Sequence, residues 1–341
     1  MSTNEERRAE ARQRLRDELA AQKKREKRTT MTLVAVASVI VLGLVATGVT
    51  MKVRENMHEN QIAAEQDAMN AYLADWAECD YAPSADDQME PIPQEQIDQA
   101  DEATRKQYED LNDKIEIAKN EKVSADAPEG DQYRHGTADV DVTTNSGDID
   151  LTLDRAKAPC NTASLLGLVD QKYFDDTICH RLTKTDPDQA AAMGGGLSVL
   201  QCGDPTGTGL GGPGYNVQDE PPTDLEAGAD GQTSVYPRGT VAMAKGQAPN
   251  SAGSQFFLVY EDSNLPPEYS VVGSIGEEGL KTLDKIADQG TKSDDTQNPD
   301  SEVPKKEVKI EKAVISDEEE VPAQPEKPEL SEDAKMAEAP A

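Results

Sequence analysis

Gln255 and Phe257 stand at alternate positions of the short apolar run Gln255–Tyr260, QFFLVY. In a strand, successive side chains point to opposite faces, so these two share one face while Phe256 and Leu258 share the other. One face can fill a core and the other can offer an aromatic ring and an amide to a ligand. The chemistry this suggests is non-covalent, an apolar contact combined with a hydrogen bond. More reactive chemistry finds little support. Cys79, Cys160, Cys179 and Cys202 contain no C-x-x-C pair, and His58, His135 and His180 show no metal spacing. The glycine-rich stretch GDPTGTGLGGPGY lacks the G-K-[ST] of a phosphate loop and the strand–loop–helix frame around it.

The elements that must position Gln255 and Phe257 surround them in sequence. Arg238–Gly273 reads as strand, loop, strand, loop and strand, with Thr240–Ala244 the first strand. Gln247–Ser254 is rich in the Gly, Pro, Asn and Ser of a surface turn. Upstream, Ala138–Thr144 and Ile149–Leu153 alternate on either side of an Asn-Ser-Gly-Asp turn, which predicts a hairpin. Pro159–Val169 reads as a helix with proline in its first turn. Thr177–Thr183 and Ser198–Gly203 follow as strands. Glu278–Gln289 is an amphipathic helix ending at Gly290, and Val308–Ser316 is a final strand. Seven or eight strands with two short helices within residues 136–316 fit a mainly β fold, a closed eight-stranded barrel with helices at its ends. The tail 317–341, rich in Pro, Glu and Ala, is expected to be disordered.

The formal charge of −32 argues against nucleic acid as a partner, since phosphates would be repelled. The acidity is uneven. Residues 1–30 hold ten Lys or Arg and six Asp or Glu, a net of +4, which leaves −36 on the remainder. The break between the two is Met31–Thr50, twenty residues without a charge. At about 1.5 Å per residue such a helix spans about 30 Å, the hydrocarbon thickness of a bilayer. We read it as an uncleaved single-pass anchor in the cell membrane. The basic excess before it places the N-terminus in the cytoplasm and everything after it outside. Residues 51–135 are polar, with helix-like pieces around Glu55–Trp76 and Ala103–Asn120, and suggest a stalk between the membrane and a folded domain at 136–316. Trp76 and Cys79 are the residues of that segment suited to dock on the domain. Four cysteines in an exported chain predict at least one disulfide.

Several segments taken together resemble one family. HGTADVDVTTNSGDIDLTL, APCNTASLLGLV, KYFDDTICHRL, VLQCGDPTGTGLGGPGY, YPRGTVAMAKGQAPNSAGSQFFLVY and NLPPEYSVVGSI follow the order found in cyclophilins, the eight-stranded-barrel peptidyl-prolyl isomerases. The wording CHRL, VLQCGDPTGTG and PRGTVAMA is similar to membrane-anchored or exported actinobacterial members. The resemblance covers about residues 136–316. It implies isomerisation of X-Pro bonds in unfolded or exported polypeptides, without nucleophile, metal or cofactor; the alternative is a proline-peptide-binding scaffold of the same fold with little turnover. A peptide bond resists rotation by about 18–20 kcal/mol because its nitrogen lone pair is delocalised into the carbonyl. A fixed cation beside that nitrogen favours the twisted amide, in which the lone pair has returned. By the resemblance, Arg181 is that cation and Gln201 its partner amide. Phe257 is the floor of the proline pocket, with Val199, Leu265 and Tyr269 around it and Gln255 on the same face. The backbone near Ala244 and Lys245 is the edge that aligns the peptide.

The chain departs from the family at four points. Arg181 and Gln201 are twenty positions apart, where the family has a shorter link. Ser198 falls where the family has a pocket aromatic, so either that wall is absent or Met193 or Leu197 supplies it. Asn264 replaces the Trp of some relatives, and Tyr269 the His of many. If Arg181 and Gln201 share a face, strand parity places Cys179 on it and Cys202 opposite, which disfavours a Cys179–Cys202 bridge.

Overall fold

The computed structural model describes residues 4–84, 89–185, 196–292 and 303–338. The chain divides into two compact units, residues 1–70 with 327–341, and residues 71–326.

The first unit is built on α1 (Asn4–Asp75), whose last residues belong to the second unit. Its apolar run Met31–Thr50 is exposed on all sides, and the helix is long and apolar enough to cross a membrane. Near its lower end α1 holds the C-terminal segment. Glu65 accepts from Ser331 N (3.0 Å), Gln66 donates to Ala334 O (3.3 Å), and His58 lies 3.1 Å from Asp333. The tail read as disordered thus carries, among its described residues, one short helix held against α1. These polar anchors and the buried Ala334 order the short terminal helix at 332–338, and composition alone does not register such contacts.

The second unit begins with β1 (Trp76–Ala77), β2 (Tyr81–Pro83), α2 (Gln94–Gln99), α3 (Glu102–Asn120) and β3 (Gln132–Tyr133). There follow β4 (Thr137–Thr144), β5 (Gly147–Asp154), α4 (Pro159–Asp170), β6 (Arg181–Leu182), β7 (Val199–Cys202), β8 (Tyr215–Val217), β9 (Glu226–Ala227) and β10 (Ser234–Tyr236). The remaining elements are β11 (Thr240–Met243), β12 (Phe256–Val259), β13 (Ser263–Leu265), β14 (Val271–Ile275), α5 (Glu277–Asp288), β15 (Ile310–Glu318) and α6 (Glu332–Glu338), the last in the first unit.

Eight strands form one curled antiparallel sheet in the order β15-β4-β5-β14-β11-β12-β7-β6. The alternation read in β4 and β5 places Val140, Val142, Ile149, Leu151 and Leu153 in its core. The segments leading into the edge strands β6 and β15 meet at an isolated bridge, Ile178 with Lys309. Helix α4, opened by Pro159, buries Leu165, Leu166, Leu168 and Val169, and its first amides donate to the Glu220 carboxylate at 3.1 and 2.9 Å. Helix α5 buries Leu283, Ile286 and Ala287 against the same core.

Two further features differ from the sequence expectation. The compact unit starts at Ala71, so the lower part of the segment read as a stalk is integral to the fold. Trp76 and Tyr72 are buried, β1 pairs with β3, β2 pairs with β8, and Cys79 is bonded to Cys160. Cys179 and Cys202 are also bonded, with Cα atoms 4.0 Å apart. Parity fails there because β6 is confined to Arg181–Leu182. Before it, Ile178 bridges Lys309 and Cys179 N donates to Val308 O (2.8 Å), so the chain follows the segment leading into β15. Alternation counted from Arg181 does not extend to a residue outside that ladder.

Candidate active site

Register explains how the site assembles. Arg181 on β6 lies opposite Gln201 on β7, Gln201 opposite Phe257 on β12, and Phe257 opposite Ala242 on β11. Directly opposed residues of neighbouring strands project to the same face. One row across four strands thus presents a guanidinium, an amide and a ring to one side of the sheet.

That side is a cleft of about 600 Å³ lined by Arg181, Gln201, Phe257, Val199, Ala244, Lys245, Leu265 and Tyr269, all expected from the sequence. Its floor is a small apolar cluster of Val199, Tyr236, Ala242, Phe257, Val259 and Val271, separate from the main core that holds Phe256 and Leu258. The opposite parities of Phe256 and Phe257 are realised as two different cores. Tyr269 meets Phe257 edge-on, with ring centroids 5.7 Å apart. Beneath them Tyr236, fully buried, donates to Tyr269 O (3.1 Å) and accepts from Tyr269 N (3.2 Å), holding that residue in place. Burial raises the Tyr236 phenol pKa, so it remains a neutral donor.

A chain of hydrogen bonds fixes the polar end. Arg181 Nη1 donates to Gln201 Oε1 (3.2 Å), and Gln201 Nε2 donates to Gln255 Oε1 (2.9 Å). Gln255 Nε2 in turn donates to Gly209 O and Gly211 O, both at 3.0 Å. Gln255 therefore braces Gln201 from behind and lines a neighbouring cleft of about 410 Å³. The glycine-rich loop that receives it is wound around the buried Asp204. The Asp204 carboxylate accepts from Thr206 N (2.8 Å), Gly209 N (2.6 Å) and Gly211 N (3.1 Å). Where the loop leaves β7, Gly203 has φ +94°, and a Cβ there would lie 2.3 Å from Ser254 O. Only glycine fits that approach.

Ser198 is not in the cleft. It is 3% exposed, its N–H donates to Ser263 Oγ (2.9 Å) and its hydroxyl to Glu261 (3.1 Å). It has the parity of Leu200, opposite to Val199 and Gln201, so it faces away. Leu197, with the parity of Val199, lines the cleft instead. Met193, the other replacement considered, lies outside the described residues. Three contributors had no sequence signal that named them: Tyr236 beneath the floor, His180 beside Arg181, and Lys114 from α3. His180 Nδ1 is buried without a hydrogen-bond partner among the described residues. Burial depresses its pKa to about 4, with the Asp204 carboxylate opposing and the Arg181 and Lys114 cations reinforcing the depression. The imidazole is thus neutral at pH 7 and adds no charge to the cleft.

Known proteins share this framework. The family described as cyclophilin type peptidyl-prolyl cis-trans isomerase/CLD matches residues 139–315, more than half of the chain. A probable peptidyl-prolyl cis-trans isomerase B of Mycobacterium leprae is 48% identical over 178 residues, covering 51% of this chain and 56% of the relative. Its counterpart in Mycobacterium tuberculosis is 49% identical over 154 residues, covering 44% of this chain and 47% of the relative. The chain therefore spans about half the length of the curated relatives it matches. A crystal structure of a Cryptosporidium parvum cyclophilin type isomerase is 28% identical, with a TM-score of 0.38, covering 53% of this chain and 98% of that one. With its matched segment coinciding with the eight-stranded sheet and the cleft on its face, this chain belongs to the family of cyclophilin-type peptidyl-prolyl cis-trans isomerases.

Proposed function

We propose that the protein is a peptidyl-prolyl cis-trans isomerase acting on X-Pro bonds of exported or cell-envelope polypeptides. The observation that carries this is the Arg181–Gln201–Gln255 hydrogen-bond chain beside the Phe257 floor. In this mechanism the proline ring rests on Phe257, Leu265 and Tyr269, and the peptide runs along Ala244 and Lys245. As the X-Pro bond twists, the imide nitrogen becomes pyramidal and recovers its lone pair. Arg181, already oriented by Gln201, donates to that nitrogen, so little reorganisation accompanies the reaction. No bond to carbon is made or broken. Lowering the barrier by about 5–7 kcal/mol corresponds to four to five decades in rate.

The membrane reading rests on the exposed apolar run of α1, which belongs in hydrocarbon rather than water. With the basic excess N-terminal to it, the isomerase lies outside the cytoplasm. The finer fold reading, a closed barrel with α4 and α5 at its ends, is supported by the Ile178–Lys309 bridge and the flanking bond from Ile310 N to Thr177 O (2.8 Å).

Exchange measured by NMR on an X-Pro peptide tests the proposal. Arg181→Ala should slow exchange by about 10²–10³-fold, the usual loss for one aimed donor, while leaving peptide binding largely in place. Unchanged exchange would remove the mechanism. Binding with no accelerated exchange in the unaltered protein would select the scaffold reading instead.

A further inference from the structure

The chain carries 66 Asp and Glu against 34 Lys and Arg, yet no carboxylate lines the cleft among the described residues. The lining cations are Lys114, Arg181 and Lys245. Lys245 is neutralised by Asp219, 2.8 Å away, and its side chain is 8% exposed. Arg181 is engaged with Gln201. Lys114 differs from both. It is exposed, it reaches the cleft from outside the family segment, and it has no ion-pair partner among the described residues.

Its position is built rather than incidental. The Asp101 carboxylate caps α3 by accepting from Thr104 N (2.9 Å), and α3 buries Ile115 and Ala118. The C-terminal end of α3 lies against Pro205, Thr206 and Leu210 of the glycine-rich loop, with which Ala118, Lys119 and Val123 share a small cavity. Helix α3 is thereby seated on the outer side of the loop whose inner side, Gly207–Gly209, faces the cleft. Lys114 enters the cleft beside those glycines and His180.

We propose that Lys114 makes this cleft select proline peptides that carry a carboxylate beside the proline. The proposal rests on the peptide-binding role assigned to the cleft above. The acidity of the whole chain does not cancel the effect. At physiological salt the Debye length is about 8 Å, so a substrate carboxylate in the cleft responds to the cations lining it more than to remote surface acids.

The test uses the full chain in detergent micelles and matched peptides with Glu, Gln or Lys placed immediately before, or immediately after, a single proline. In at least one set kcat/KM should follow Glu, then Gln, then Lys, with Glu exceeding Gln by about two- to five-fold, the range of a partly exposed ion pair. The ratio should fall toward one near 1 M salt, where the Debye length is about 3 Å. Lys114→Gln should abolish the Glu-to-Gln ratio, and Lys114→Glu should reverse the order of Glu and Lys. Equal values in both sets, or a ratio unaltered in Lys114→Gln, would overturn the proposal. NMR titration with the same peptides separates the two levels of inference. Glutamate-selective binding without turnover sustains the acidic preference and defeats the isomerase reading. Equal binding without turnover defeats both.

Discussion

His180 adjoins Arg181 in the sequence and in the cleft, and its environment makes a measurable pH signature. Its folded pKa, about 4, lies below the ordinary 6.5, chiefly through burial. Folding therefore favours the neutral ring. The associated stability is complete above about pH 6.5 and is lost as pH falls toward 4. Glu220 runs the other way. Burial raises its pKa, so its contribution is complete below its ordinary 4.5 and declines as pH rises through the folded value. Comparing thermal melts of the wild type and His180→Asn between pH 7 and 4 isolates the first effect, because Glu220 is common to both. The wild type should lose more stability on acidification than the variant. Peptide exchange should stay flat from pH 6.5 to 8, since the ring has no charge to lose there. A step near pH 6.5 would show an exposed, ordinary histidine.

Strand β6 is only two residues long and pairs with β7 at Arg181 and Leu182 alone, yet it carries Arg181. Two devices compensate. The backbone before it is tied to β15, and the buried Cys179–Cys202 bond joins it to β7 next to Gln201. The two cysteines are 23 residues apart in sequence, for which loop-closure entropy gives about 3 kcal/mol. Under the proposed mechanism, Cys179→Ala with Cys202→Ala should lower the melting temperature of the second unit and slow exchange, because Arg181 would lose its fixed position in the cleft. Reductant should lower the melting temperature of the wild type but leave this variant less affected, which a melt with and without reductant reads directly. If exchange is undiminished in the folded variant, the bond stabilises the sheet without positioning the arginine.

The segment that matches the family begins at residue 139, but the compact unit that contains it begins at Ala71. Tyr72, Trp76, Ile97 and Ile115 are buried within that unit, and Cys79 and Tyr81 pack on Cys160, Tyr215 and Val217. A chain starting at Ala71 should melt like the second unit of the whole protein. One starting at Gly136 should be destabilised by at least about 3 kcal/mol, the cost of losing a single large buried side chain, and thermal unfolding would show it. Equal stability would mean that residues 71–135 are accessory after all.

What was legible in the sequence was whatever depends on local pattern. The parity of Gln255 and Phe257, the β4–β5 hairpin, the proline-led α4, the apolar run Met31–Thr50 and the row of family motifs all show in short windows. Parity also separates Ser198 from Val199, in keeping with its burial away from the cleft. The tertiary structure decided what depends on distant segments meeting: the Cys179–Cys202 bond beyond the end of a two-residue strand, Tyr236 beneath the floor, the tail held by α1 through Glu65 and Gln66, and α3 bringing Lys114 into the cleft. Lys114 is 67 residues before Arg181. No period or spacing connects them, because their approach is set by how α3 seats on the glycine-rich loop rather than by the chain between them.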